Sequence, residues 1–237
     1  MSFPVVGRAI GLSVLFGVTG RAIAHDGDIG IRVSGGKIET VLATGEPPTQ
    51  VFGTEIERVF AAEWAFNGST NDVRIDEPGL ASEAAALDGQ TLGFNIRKAL
   101  RVWDGTGFVA TSFSAAVGST DLGLLFIETP ATDVVTAGHS ILVAQTPLDF
   151  HYDWRLNGAT VSSGFGVYLV ELELTNPGGV LVTSDPVWVV YNYGETEEVH
   201  DAAVVYAVTN FVPTPGTGLM AMIGLVGVGG MGWRRRR

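Results

Sequence analysis

The 237-residue chain contains no cysteine, so it has no disulfide frame, no thiol nucleophile, no cysteine-ligated zinc finger and no iron–sulfur cluster. Positive charge is also scarce, with 14 Lys and Arg against 25 Asp and Glu. That balance gives no reason to expect nucleic acid or an anionic lipid surface as a general partner. Only four histidines are present, at positions 25, 139, 151 and 200, few enough to weigh one by one. Charged residues make up 16% of the chain and hydrophobic ones 46%, which argues for a packed core over disorder. No internal repeat of solenoid or propeller period is present, and no Gly-x-Ser-x-Gly elbow, His-Glu-x-x-His helix or phosphate-cradling loop. Carboxylate pairs such as Glu55/Glu57 and Asp76/Glu77 nominate nothing in a chain this acidic, so no catalytic residue is assigned and an enzyme is not expected.

The two ends differ from the middle. Residues 1–24 have the build of a secretory signal peptide: a start containing Arg8, an apolar stretch over 9–18, and Ala22 and Ala24 before the polar His25-Asp26-Gly27-Asp28. Cleavage is expected after Ala24. At the other end Pro213-Thr214-Pro215 precedes an uncharged apolar run over 218–233 and the cluster Arg234 to Arg237. Terminal arginines suit a transmembrane helix whose basic end stays in the cytoplasm, which places residues 1–216 outside. The order of a proline-containing tripeptide, an apolar helix and an arginine cluster over 213–237 resembles the PEP-CTERM sorting signal of bacteria, with Thr214 where that family usually carries Glu. The resemblance implies an exosortase as partner, an inner-membrane anchor that is transient or retained, and export to the cell envelope or extracellular matrix.

Residues 25–212 are left as one domain, and they hold eight basic residues against all 25 acids. That excess keeps an exported domain soluble and attracts divalent cations wherever carboxylates converge. Alternation dominates this stretch. Ile29, Ile31 and Val33 lead to the turn Ser34-Gly35-Gly36-Lys37, after which Ile38 and Val41 resume, predicting a hairpin. Further strands are predicted over 58–66, 91–103, 108–113, 122–128, 140–145, 167–175, 186–193 and 202–210, with a short alanine-rich helix over 80–87. Tyr168, Val170, Leu172 and Leu174 share one face of their strand, with Glu171 and Glu173 on the other. The expected class is therefore all-β, an antiparallel sandwich or jelly roll.

Asp149, His151 and Asp153 recur at period two, which would project all three from one face of a strand. An imidazole between carboxylates suits zinc, while an exposed polar face opposite Phe150, Tyr152 and Trp154 is the plainer reading. His151-Tyr152-Asp153-Trp154 with Gly166-Val167-Tyr168 is similar to a motif of surface-anchored proteins found with metal-uptake systems, including a Zur-repressed PEP-CTERM family. That family's pattern has His-x-His before aromatic-Asn-Trp, so Asp149 stands for its first His and Asp153 for its Asn. The resemblance implies a link to zinc or another transition metal.

Cleavage after Ala24 would put an α-amine and an imidazole together on His25, a pair that chelates one metal and, with a second histidine, forms a copper brace as in N-terminal-His polysaccharide monooxygenases. A disordered mature N-terminus is the alternative. Asp28 adds an oxygen donor close to His25. His200, after Glu195, Glu197 and Glu198, reads as part of a solvated acidic loop and is a third candidate ligand. His139 reads as a turn residue with no role. The metal-binding expectation thus names His25, Asp28, Asp149, His151, Asp153 and His200. A structural or carbohydrate-binding exopolysaccharide-matrix protein is the alternative, with Trp64, Trp103 or Trp188 stacking on sugars if exposed.

Overall fold

The computed structural model describes residues 27–119 and 123–213. The signal peptide expected over 1–24, His25, and Thr214, Pro215 and the apolar run with its arginines lie outside the described residues; Pro213 is the last residue within them. In chain order the strands are β1 (Asp28–Ser34), β2 (Lys37–Thr44), β3 (Val51–Phe52), β4 (Val59–Glu63), β5 (Ala65–Asn67), β6 (Asp72–Ile75), β7 (Leu80–Ser82), β8 (Thr91–Ile96) and β9 (Arg101–Trp103). They continue with β10 (Phe108–Ala110), β11 (Ser114–Ser119), β12 (Leu124–Glu128), β13 (Thr136–Leu142), β14 (Leu148–Phe150), β15 (Asp153–Asn157), β16 (Gly166–Thr175) and β17 (Val187–Tyr193), and helix α1 (Glu197–Phe211) closes the series.

The strands form three sheets. The first has the order β14-β7-β1-β2-β3, the third β12-β11-β15-β6-β5. The second is built on β10-β9-β16-β17-β4, with β8 also pairing β16 and β13 pairing β8. The predicted hairpin is β1–β2, registered Ser34 to Lys37 around Gly35 and Gly36, both at positive φ, as a two-residue turn between right-twisted strands requires. Two pairings, β1 with β7 and β17 with β4, are parallel, so the fold is all-β and mainly but not wholly antiparallel.

Both faces of the second sheet are covered. Tyr168, Val170, Leu172 and Leu174 enter the main core with Val189 and Tyr191, meeting Ile29 and Ile31 of the first sheet and Val117 and Trp154 of the third. Val167, Leu169, Trp188 and Val190 point the opposite way into a second cluster under α1, with Ala203, Val204 and Ala207. The strand expected over 202–210 is this helix. Its valines cost at most about 0.7 kcal/mol each in helix propensity, whereas burying a valine side chain returns about 1.5–3 kcal/mol, so packing decides. Thr196 stands at the N-cap with Glu197 and Glu198 in the first turn, where the helix dipole favours acids. The helix expected over 80–87 is corrected as well: residues 80–82 pair in the first sheet as β7, and only Ala85–Leu87 make a single 3-10 turn.

Candidate functional site

His151 lies where the chain changes sheets. β14 pairs with β7 in the first sheet, β15 pairs with β11 and β6 in the third, and His151-Tyr152 is the connection. The period-two expectation fails at this crossing. Asp149 stays beside the imidazole, its Oδ1 3.2 Å from Nε2. Asp153 goes with β15, where its carboxylate lies 4.0 Å from the Arg74 guanidinium, so it is not part of the His151 cluster.

Two other segments complete the cluster. Asp28, at the start of β1, is buried, and its Oδ2 lies 4.0 Å from His151 Nε2 while its Oδ1 accepts from the Gly79 N–H at 2.7 Å. Glu77 brings Oε1 to 3.7 Å from His151 Nδ1. The Asp76 carbonyl lies 3.1 Å from Nδ1, and because a carbonyl can only accept, Nδ1 carries the proton. Nε2 is thereby turned toward Asp28 and Asp149. Glu46 also comes within ligand reach of Asp149 and His151, and the Gln50 amide donates to Asp28 Oδ2 at 3.5 Å. Gly79 is what permits the close approach: a Cβ there would sit 2.7 Å from Asp28 Oδ1 and 2.9 Å from His151 Nδ1.

Four carboxylates, of Asp28, Glu46, Glu77 and Asp149, surround one imidazole. Burial, the hydrogen bond with Asp28 and the charge of Asp28 push Glu77 up to about 7. Burial pulls His151 down, but the charges of Asp28 and Glu77 and the Asp76 carbonyl outweigh it, so the net direction is upward. Glu46 is raised by its hydrogen bond and repulsion with Asp149.

Two sets of three donors, Asp28, Glu77 and His151 on one side and Glu46, Asp149 and His151 on the other, each come within 4.8 Å of one another. At zinc–ligand distances of about 2.0–2.1 Å, tetrahedral donors stand about 3.3 Å apart. The separations of His151 Nε2 from Asp149 Oδ1 and Asp28 Oδ2, 3.2 and 4.0 Å, need only small side-chain adjustment to meet that. The bonded Nδ1–H orients the ring as metal-ligating histidines are commonly oriented.

His200 is elsewhere. It was expected in a solvated loop but is fully buried in α1, and its Nε2–H donates to the Val190 carbonyl at 3.0 Å. Glu63 and Glu197 approach it, yet the nitrogen bound to Val190 is committed to the helix–sheet joint. His139 is in strand β13, not a turn, and its ring stacks 5.9 Å from Tyr152. Three of the four described tryptophans, Trp64, Trp154 and Trp188, are buried, with Trp64 stacked on Tyr191 at 4.3 Å. Trp103 is half-buried beside Phe108 and Tyr206. The stripe of exposed tryptophans on which sugar binding would rest is not formed among the described residues.

Glu46, Gln50 and Glu77 are the cluster members that sequence reasoning missed. Glu77 lies only two residues before Gly79, but no spacing rule ties it to a histidine 74 positions later. No known family model matches the chain, and no curated protein matches it.

Proposed function

We propose that the chain is an exported, non-enzymatic β-sandwich domain of the cell envelope or extracellular matrix that binds a divalent transition metal, zinc, through His151. The observation that carries this reading is the meeting of His151 with Asp28, Asp149 and Glu77, drawn from three separate segments around Gly79. His151, Asp28 and Glu77 hold the ion, with Asp149 and Glu46 as neighbouring carboxylates. The ion supplies positive charge where the carboxylates converge. The sorting motif Pro213-Thr214-Pro215, with exosortase as its reader, delivers the domain to its place.

Metal content by mass spectrometry and zinc titration on the exported protein, its mature N-terminus determined, test the reading. Stoichiometric zinc is expected, lost in His151→Ala and kept in Asp153→Ala. A protein that leaves the cell without zinc and ignores added zinc overturns it. Loss of metal in His25→Ala, with copper preferred over zinc, would transfer the site to the mature N-terminus.

A further inference from the structure

The surface where α1 ends has a different chemistry from the His151 cluster and shares no residue with it. The β9–β10 hairpin lies against the second half of the helix. There Trp103, Phe108, Tyr206 and Phe211 form a partly exposed aromatic group: Trp103 is 5.1 Å from Tyr206 and 5.3 Å from Phe108, and Phe211 is 5.8 Å from Tyr206 and 6.2 Å from Phe108. Beside them a cavity of about 230 Å³ opens over Leu169, with Lys98 and Arg101 at its edge. It is smaller than the pockets that enclose whole small-molecule ligands, which run from about 300 to 1,000 Å³.

Charge sets this face apart on a strongly acidic domain. Glu171 in the cavity wall is neutralised by Arg97 at 2.9 Å and Lys98 at 2.8 Å, and also accepts from the Trp188 indole at 3.1 Å. Asp133 is held by Arg101 at 2.5 Å. Asp104 at the hairpin tip is turned into its own loop, accepting from Thr106 and Gly107 at 2.8 and 2.9 Å. The acids here are occupied, and half-buried Trp and Tyr remain, side chains with an apolar body and a polar tip that concentrate where hydrocarbon meets headgroups.

The chain's exit selects the occupant. Phe211 lines the cavity, the described chain ends at Pro213, and the apolar run starts at Gly218. Five residues reach about 18 Å at full extension. We infer that this face is a docking surface for the phospholipid interface, with Trp103, Phe108, Tyr206 and Phe211 at the acyl–headgroup boundary. This rests on the reading of residues 218–233 as a membrane anchor.

The test uses the full-length chain in phosphatidylcholine vesicles whose acyl chains carry bromine near the headgroup, with flotation reporting insertion and tryptophan emission reporting depth. Trp103 emission, isolated as the difference between the wild type and Trp103→Phe, is expected to fall about twofold relative to unbrominated vesicles. A chain that floats with Trp103 unquenched overturns the docking surface and leaves the anchor standing. A chain that does not float overturns both.

Discussion

His151 and His200 begin from the same sequence material, an imidazole among acids, and end in opposite surroundings. His151 sits at a sheet crossing where Asp28, Glu77 and Asp149 converge and only one ring nitrogen is taken by backbone. His200 is fully buried between α1 and the second sheet, its Nε2 bound to the Val190 carbonyl. Acids adjacent in sequence therefore say little about an imidazole's role; what crosses from other segments decides it. One histidine belongs to a polar cluster of converging carboxylates at a sheet crossing, the other to the joint that holds the helix in place.

The sharpest way to separate them is His200→Ala. Removing a fully buried ring leaves a cavity and an unpaired carbonyl at Val190, a cost of about 2–4 kcal/mol, read as a lowered denaturant midpoint. Zinc affinity in the variant that remains folded is expected to match the wild type. A midpoint unchanged by this substitution would break the comparison from the helix side.

Gly79→Ala should act on the other region. Its Cβ cannot coexist with Asp28 Oδ1 at 2.7 Å and the His151 ring at 2.9 Å, so one of the two must withdraw. The expected result is at least about a tenfold loss of zinc affinity with roughly 1–2 kcal/mol of stability, by titration and denaturation. Wild-type affinity would show that the two side chains do not act together.

The smallest effect is on pH dependence. A carboxyl held up at about 7 in the folded protein, against an ordinary 4.5, binds its proton more firmly folded than unfolded. Its contribution is complete below about pH 4.5 and is lost as pH rises through 7. His151, also raised, loses its contribution in the same direction. Glu77→Gln should flatten this part of the stability profile, by a modest amount because solvent reaches the side chain. On the proposed reading, zinc affinity is expected to run the opposite way and rise across the same window as protons leave. A Glu77→Gln profile that superimposes on the wild type would remove Glu77 from the cluster.

Strands with strict alternation were legible. The β1–β2 hairpin appears with its Gly35-Gly36 turn, and β16 buries the face that Tyr168, Val170, Leu172 and Leu174 define. Its opposite face was only half legible: Glu171 does point away, but it is buried, because Arg97, Lys98 and Trp188 close over it. Helix α1 was missed because Val204, Val205, Tyr206 and Val208 favour strands locally, and only Thr196 and the two glutamates after it marked a helix start. At the candidate site, Asp149 and His151 were legible as neighbours. Asp153 was not separable from them, since period two assumes an unbroken strand and nothing in Phe150-His151-Tyr152-Asp153 announces a change of sheet.

The packing of α1 also has a mechanical consequence. A pull on the chain at Pro213 reaches the domain through Phe211 and the helix, which rests on β4, β16 and β17. Tension enters at the C-terminal turn, where Phe211 lies 5.6 Å from Trp188, and meets the His200–Val190 bond near the far end of the same helix. Such a load would fall first on the apolar underside of the helix, which stands between Pro213 and the strands of the second sheet.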